Sequence, residues 1–267
     1  MGQRRSVVIT GAGSGIGRAV VQGAIQDGWY AVGIESEHDL ADDLATLVGA
    51  NGAVLVGDVR ERAVLEEAAQ RAVSECPLGA WVNNAAINRV TNLHDPVEAD
   101  VMDVFAVNLY AYYWGSSTAI RTFIGQKSAG SVLSVSSVHA RAAYPGAAAY
   151  DISKAGIEAL MRYIAVEYGA VGIRANSVAP AAVMTPMSRR AIDATDDPDA
   201  AVARISGSVP LGRIAEAREV AAAITFLMSD EASYISGVSL GVDGGMSASC
   251  ISFDADPAIA ALYTREG

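Results

Sequence analysis

TGAGSGIG, residues 10–17, is the stretch that decides the fold of this 267-residue chain. It follows the β-branched apolar run SVVIT at 6–10 and precedes a segment, 15–27, with apolar residues at helical spacing. Glycine permits a tight turn and a close approach of the backbone to a pyrophosphate, and the next helix supplies N–H donors at its N-terminus. The glycines fit G-x-x-x-G-x-G through Gly11, Gly15 and Gly17, because Ile16 takes the place of the last glycine in G-x-G-x-x-G. A strand, a glycine turn and a helix in this order favour dinucleotide binding over a merely flexible turn.

Short β-branched runs alternate along the chain with longer Ala-rich stretches of helical period, a pattern typical of βαβ units. The predicted strands cover 6–10, 30–34, 53–57, 79–83, 130–136, 173–179 and 236–242. The predicted helices cover 15–27, 60–75, 98–125, 150–170 and 216–229. We therefore expect an α/β fold, a single-domain, doubly wound, Rossmann-like parallel sheet of about seven strands with helices on both faces, over residues 1–267.

The stretch from about 180 to 214 carries four prolines and the acidic run DATDDPD, and its pattern predicts an irregular loop. Loops of that length inside a compact domain are more often functional than idle, so we expect a substrate loop near 183–213. A C-terminal tail from about residue 247 has no assignable role.

Composition excludes several classes of protein. The net charge of −11 argues against a nucleic-acid partner, because such binding neutralises phosphates with Lys and Arg. The apolar run near the N-terminus is too short for a signal sequence or membrane span. Two distant cysteines, Cys76 and Cys250, indicate free thiols and not a disulfide framework. We expect a cytoplasmic protein with a small-molecule partner, no membrane association and no metal site.

Glu35 ends the second predicted strand, eighteen residues beyond Gly17. An acidic side chain there can accept hydrogen bonds from the adenosine ribose hydroxyls and would repel a 2′-phosphate. The following segment ESEHDLADD contains no Arg or Lys. These features favour NAD over NADP as the cofactor. The alternative interpretation of the segment is a solvated acidic loop, and the two interpretations are compatible.

Tyr150 and Lys154 are four residues apart at the start of a predicted helix, so their side chains project from the same face. A nearby ammonium favours the phenolate form of a tyrosine, which could then take a proton from an alcohol. The chain has only two lysines, Lys127 and Lys154. This scarcity favours a functional role for the ammonium of Lys154 over a chance spacing of Tyr150 and Lys154. An exposed helix pair is the alternative interpretation.

Several motifs together resemble the short-chain dehydrogenase/reductase family in its single-domain form. They are TGAGSGIG, NNAA at 83–86, Asn108 within the long helix, VSS ending at Ser137, YDISK at 150–154 and NSVAPAAVMT at 176–185. Their order and spacing match the family over about residues 6–246. The resemblance implies hydride transfer between NAD(H) and a secondary alcohol or ketone, such as a sugar, diol or steroid. An NADP-dependent carbonyl reductase and a non-catalytic dinucleotide-binding regulatory protein are the alternatives.

The same resemblance implies a role for each matching residue. Ser137 would hydrogen-bond the substrate oxygen, Tyr150 would be the general acid/base, Lys154 would hold the nicotinamide ribose, and Asn108 would maintain a water-linked proton relay. The implied cofactor-binding residues are Gly11, Ser14, Gly15, Ile16, Gly17, Glu35, Asp58, Val59, Asn84, Ala85, Tyr150, Lys154, Val183 and Thr185. Ala86 and Ala181 depart from the family's NNAG and PG; if either site needs a positive φ, the local turns differ.

The substrate pocket is expected outside the carboxyl ends of the strands, with His139, Tyr144 and Asn88 as wall residues. His139, Asn88 and Arg89 favour a hydroxylated substrate, whereas Met184 and Met187 favour an apolar one. The helices with VFAVNLYAYYWGS and IEALMRYIAVEY are apolar on several faces, which marks interfaces when such faces are exposed. Family members pair these helices, so a homodimer or homotetramer is expected.

Overall fold

A computed structural model describes residues 4–249 and contains a seven-stranded parallel sheet of order β3-β2-β1-β4-β5-β6-β9. The strands are β1 (Ser6–Thr10), β2 (Tyr30–Glu35), β3 (Gly52–Val56), β4 (Leu78–Asn83), β5 (Gly130–Val135), β6 (Ile173–Pro180), β7 (Val183–Met184), β8 (Ala215–Glu216) and β9 (Ser239–Val242). The short strands β7 and β8 pair with each other, apart from the large sheet. The expected doubly wound α/β sheet of seven strands is confirmed.

Helices cover both faces of the sheet. They are α1 (Gly15–Gln26), α2 (His38–Val48), α3 (Arg62–Glu75), α4 (Glu98–Phe105), α5 (Ala111–Gln126), α6 (Ala148–Tyr168), α7 (Pro186–Asp193), α8 (Pro198–Gly207) and α9 (Ala217–Met228). One core lies under α1, α2 and α9 and the other under α3, α5 and α6. Because both faces are covered, β1, β2 and β4 are buried along their whole length, which explains their continuous apolar runs.

The helix α2 was not predicted, because its outer face is acidic. Ala41, Leu44 and Val48 form a buried stripe at spacings of three and four, while the acidic residues of 39–43 face outward or to the side. The three acidic residues within 39–43 conceal the amphipathic period when the segment is judged by its composition. The alternative interpretation of this segment as a solvated acidic loop is therefore wrong from His38 onward.

The expected irregular loop near 180–214 is also largely helical. Prolines that suggest a loop stand at the first positions of α7 and α8, where their missing N–H group costs nothing. Thr185 and Ser188 form a capping box at the start of α7. The segment is therefore a pair of short helices held by β7 and β8.

The predicted helix 98–125 is confirmed as one unbroken helical run over 98–126, but its geometry is not uniform. A π-helical turn, Ala106–Tyr110, lies between α4 and α5 and contains Asn108. Such turns place one extra residue in the helix and shift the side chains that follow.

Two further sequence predictions can be placed on the chain. None of the helices within residues 4–249 combines the length and the apolar composition that a membrane span requires. The predicted tail from about residue 247 lies almost entirely outside the described residues, as does Cys250, whereas Cys76 is a free, partly buried thiol.

Candidate active site

The glycine turn between β1 and α1 has a backbone that only glycine accommodates well. Gly11 and Gly15 have φ values of +62° and +52°. A Cβ atom at Gly17 would lie 2.1 Å from the carbonyl oxygen of Gly11. Ser14 is the N-cap of α1 without a side-chain cap, and the partly buried Ile16 packs on the core. The turn is thus a cradle of backbone at a helix N-terminus, which fits a pyrophosphate.

Glu35 and Arg18 both meet the glycine turn at Gly13. The buried Glu35 carboxylate accepts hydrogen bonds from the N–H groups of Gly13 at 2.9 Å and Ser36 at 2.8 Å. Arg18 donates from its guanidinium to the carbonyl oxygen of Gly13 at 3.4 Å. The Glu35 carboxylate therefore lies against the glycine turn, and the Arg18 guanidinium lies at the same turn.

Asn84 and Ala85, at the carboxyl end of β4, hold the glycine turn from the other side. The Asn84 side chain donates to the carbonyl oxygens of Thr10 and Gly11 at 2.9 and 3.0 Å, and the backbone N–H of Ala85 donates to the Thr10 hydroxyl. A Cβ atom on Gly11 would lie 2.8 Å from the Cα atom of Ala85. The Asn84 amide is therefore engaged by the turn itself.

Asp58 and Val59 follow β3, next to β2 in the sheet. The Asp58 carboxylate accepts from the Arg60 guanidinium at 2.6 and 2.8 Å, and Arg60 also reaches Asp103 at 3.1 Å. The hydrogen bonds from Arg60 lower the pKa of Asp58. Val59 is buried. Arg60 thus holds the residue expected at the adenine.

Ser137, Tyr150 and Lys154 come together just beyond the carboxyl end of β5. Lys154 is fully buried and donates from Nζ to the Val135 carbonyl oxygen at 2.8 Å, with Nζ 5.3 Å from the centre of the Tyr150 ring. A hydrogen bond joins the Ser137 and Tyr150 side chains. Neighbouring Ser136 instead donates to the Lys154 carbonyl oxygen. The structure therefore selects Ser137 over Ser136 as the hydroxyl beside the tyrosine.

Burial dominates the ionisation of this cluster. It raises the pKa of Tyr150 to about 12, against the hydrogen bond with Ser137, which lowers it. It lowers the pKa of Lys154 to about 7. Burial therefore outweighs the expected lowering of the Tyr150 pKa, because taking a charge out of water costs more free energy than the neighbouring groups supply.

Asn108 lies in the π-helical turn and is completely buried. Its amide oxygen accepts from the backbone N–H of Ile87 at 2.9 Å, and its amide nitrogen donates to the Ile87 carbonyl oxygen at 2.8 Å. The side chain therefore fixes the backbone after β4 through one accepted and one donated hydrogen bond.

Comparisons with known proteins agree with this geometry. The family described as enoyl-(acyl carrier protein) reductase matches residues 11–247. The chain is 33% identical to the 3-oxoacyl-(acyl-carrier-protein) reductase FabG of Salmonella typhimurium over 90% of this chain and 96% of that protein. The chain belongs to the short-chain dehydrogenase/reductase family. It is also 32% identical to 3beta-hydroxysteroid dehydrogenase 1 of Eggerthella lenta, over 91% of this chain and 93% of that one.

A solved structure shows how closely the fold is shared. The aldohexose dehydrogenase of Thermoplasma acidophilum (AldT, ligand-free form) superposes with a TM-score of 0.85 and 30% sequence identity, covering 95% of this chain and 98% of that chain. The departures from the family motifs leave the turns regular. Neither Ala86 nor Ala181 has a positive φ, since Lys127 alone among non-glycine residues of the described range does.

Thr185 connects the segment after β6 to the glycine turn of this short-chain dehydrogenase/reductase. A Cβ atom on Gly15 would lie 3.2 Å from the Thr185 methyl group. The Thr185 hydroxyl accepts from the Ser188 N–H at 3.2 Å, and the Val183 carbonyl oxygen accepts from the Ser188 hydroxyl at 2.7 Å. Both residues expected at the cofactor therefore lie on a segment that faces the turn.

Of the three expected wall residues, two meet the tyrosine cluster. The His139 ring lies edge-on to Tyr150, with ring centres 5.4 Å apart, and contacts the Tyr144 ring at 5.6 Å. Tyr144 also lines a cavity of about 240 Å³ against α7 and α8. Asn88 is exposed, and no described contact joins it to Tyr150.

Three neighbours of the site were not singled out from the sequence. Arg18 contacts Gly13 in the glycine turn, Arg60 contacts Asp58, and Asp151 pairs with His139 at 2.7 Å. Arg18 and Asp151 stand inside the motifs already examined, one residue after Gly17 and one after Tyr150. A charged residue directly beside a motif residue was the feature of the sequence that could have identified these neighbours.

Proposed function

We propose that this chain is an NAD-dependent oxidoreductase acting on the CH–OH group of a secondary alcohol, or on the corresponding ketone. The observation that carries the proposal is the cluster of Ser137, Tyr150 and Lys154 beyond β5, on the side of the sheet where the glycine turn lies. When bound, the nicotinamide dinucleotide supplies the carbon that accepts or donates the hydride. Its holding residues would be the glycine turn, with Glu35 at the adenosine ribose and Thr185 nearer the nicotinamide.

Tyr150 would move the proton. In the oxidation direction its phenolate takes the hydroxyl proton of the substrate as hydride leaves the carbon and the C–O bond becomes C=O. In the reduction direction its phenol returns that proton to the developing alkoxide. Ser137 donates to the substrate oxygen and stabilises its partial negative charge.

Lys154 would set the charge state of Tyr150. Its pKa of about 7 allows it to be protonated near neutral pH. An ammonium 5.3 Å from the ring centre in a buried site favours the phenolate, and the phenolate in turn favours the ammonium. Asn108 supports the site through the Ile87 backbone.

The test is substitution of Tyr150 by Phe. We expect Y150F to bind NAD as tightly as the wild type by calorimetry and to lose about 100-fold or more of its hydride transfer, followed at the nicotinamide absorbance. A panel of sugars, diols, steroids and small secondary alcohols supplies the substrate. Unchanged turnover in Y150F would remove the role assigned here. Tight NAD binding without turnover of any substrate would instead support the non-catalytic, dinucleotide-binding alternative.

Arg18 favours a second candidate, an NADP-dependent carbonyl reductase. Its guanidinium lies at the Gly13 carbonyl oxygen, on the turn that Glu35 also contacts, and could pair with a 2′-phosphate. We favour NAD, because the carboxylate of Glu35 is buried against the same turn and repels a phosphate. Calorimetry with NAD and NADP decides between them.

The substrate class draws on the relatives. The similar proteins are named for 3-oxoacyl, hydroxysteroid and aldohexose substrates, all of which present a carbonyl or secondary hydroxyl group. The cavity of about 240 Å³ beside Tyr144 suits a small molecule. We propose a small alcohol or ketone, with no nucleic-acid or membrane partner.

A homodimer or homotetramer is also proposed. Tyr113 on α5 and Tyr163 on α6 are each more than half exposed, and Val166 on α6 is 86% exposed. The two tyrosines are near enough for Tyr113 to influence the ionisation of Tyr163, so exposed aromatic side chains of both helices lie in the same region. Apolar faces of this kind mark contacts between subunits.

A further inference from the structure

His139 is held in one orientation by Asp151. Its Nδ1 atom lies 2.7 Å from Asp151 Oδ1, while Asp151 Oδ2 accepts the backbone N–H of Tyr144 at 3.0 Å. Asp151 stands in the first turn of α6, directly after Tyr150. An ionised carboxylate only accepts hydrogen bonds, so Nδ1 must carry the proton. Asp151 thereby fixes both the tautomer and the direction of the imidazole ring.

The second ring nitrogen has no partner within residues 4–249. Nε2 of His139 makes no hydrogen bond there, and the side chain is 27% exposed. The same ring lies edge-on to Tyr150 at 5.4 Å between ring centres. In the neutral imidazole with Nδ1 protonated, Nε2 is a hydrogen-bond acceptor. A fixed acceptor therefore stands beside the tyrosine on which the proposed proton transfer depends.

We propose that His139 selects substrates with a second hydroxyl group close to the reacting carbon, and that Asp151 is the residue that positions it. This inference rests on the proposed function. While the reacting oxygen contacts Tyr150 and Ser137, the neighbouring hydroxyl donates to His139 Nε2. The substrate class is thus a vicinal diol or its α-hydroxyketone product.

The charges around His139 disfavour a hydroxy acid. A substrate carboxylate near the ring would face the lone pair of Nε2 and the negative charge of Asp151. The cation nearest in sequence, Arg141, is paired with Glu158 at 3.2 Å. The rings of Tyr144 and Tyr150 also contact the imidazole and supply no cation. A neutral, hydroxylated substrate therefore fits the environment of the His139 ring best.

The activity test compares 2,3-butanediol with 2-butanol, which differ by one hydroxyl group. We expect the wild type to oxidise the diol with a kcat/KM at least roughly tenfold higher, because a site built around a hydroxyl group rejects the analogue that lacks it. H139A should lose roughly tenfold on the diol and less than about threefold on 2-butanol. H94A, at an exposed histidine, is the matched control and should leave both values unchanged.

Two near-isosteric variants separate binding from packing. In H139Q the amide reaches the place of Nε2, whereas in H139N it reaches only the place of Nδ1. We expect H139Q to keep part of the preference for the diol and H139N to lose it. Equal loss in both variants, or equal loss on diol and 2-butanol in H139A, overturns the selective role of His139.

The positioning role of Asp151 has a spectroscopic signature. The chain contains only three histidines, so ¹⁵N NMR of histidine-labelled protein can assign His139 by comparison with H139Q. We expect the Nδ1–H tautomer in the wild type and its loss in D151N, together with a reduced diol preference. An Nε2–H tautomer in the wild type overturns the inference.

The outcomes distinguish the inference from the function on which it rests. Oxidation of 2-butanol as fast as the diol, abolished by Y150F, would leave the proposed function standing and remove this inference. NAD binding without oxidation of any alcohol would contradict both.

Discussion

The Nζ atom of Lys154 donates a hydrogen bond to the main-chain carbonyl oxygen of Val135 at 2.8 Å. This bond joins α6 to the end of β5 and fixes the amine beside the Tyr150 ring. No carboxylate pairs with Lys154 within residues 4–249, and burial lowers its pKa from 10.5 to about 7. The protonated amine is thus accommodated at a cost to the folded state.

That cost makes stability depend on pH. Between pH 7 and 10.5 the unfolded chain binds a proton at Lys154 that the folded chain lacks, so the contribution of this group to stability rises with pH. Relative to K154M, the free energy of unfolding of the cofactor-free wild type should increase by about 1.4 kcal/mol per pH unit between about pH 7.5 and 9.5. Urea unfolding of both proteins measures it. A difference that is constant with pH would show that Lys154 titrates normally.

Gly17 and Gly125 should respond in opposite ways to alanine. A Cβ atom on Gly17 meets the Gly11 carbonyl oxygen at 2.1 Å, whereas one on Gly125, inside α5, meets nothing within 4 Å. We expect G17A to cost about 1–3 kcal/mol and to weaken NAD binding, because the cradle must open. G125A should gain about 0.5–1 kcal/mol and leave NAD binding unchanged. Thermal unfolding and calorimetry measure both; a G17A protein with normal NAD affinity would argue against the cradle.

The sequence was sufficient to predict those elements that depend on a single local pattern of residues. The buried strand 78–83 shows a continuous apolar run, and the spacing of Tyr150 and Lys154 fixes their common helix face. It was insufficient for α2, where surface acids conceal the buried stripe of Ala41, Leu44 and Val48. The helical spacing of the apolar residues, considered without the acidic ones, would have predicted that helix.

The details of the site depend on the folded chain. His139 and Asp151 are twelve residues apart, and only the turn between them brings the imidazole to the carboxylate. Arg18 reaches Gly13 because α1 begins inside the glycine turn. Likewise, the direction of the Lys154 amine follows from the register of α6 on β5, which no motif encodes.

Cofactor choice should follow the charge of Glu35. E35Q keeps an amide oxygen that can accept from the Gly13 N–H and removes the negative charge, so it tests charge with little change in shape. We expect it to raise NADP affinity roughly tenfold while NAD affinity changes by less than about threefold. R18Q is the companion variant and should leave NAD affinity unchanged. Calorimetry with both cofactors measures these values. Tighter binding of NADP than NAD by the wild type, lost in R18Q, would establish the alternative.

The exposed face of α5 and α6 should control the state of assembly. Val166 is 86% exposed in the single chain, and an arginine there would place a charge in the proposed contact. We expect V166R to shift the mass measured by light scattering at micromolar concentration toward the 27.5 kDa of one chain. V73R, on the partly exposed side of α3, serves as the control and should keep the mass of the wild type. Wild-type protein that already has the mass of one chain would refute the interface, whereas loss of assembly in both variants would point to a general effect of added charge.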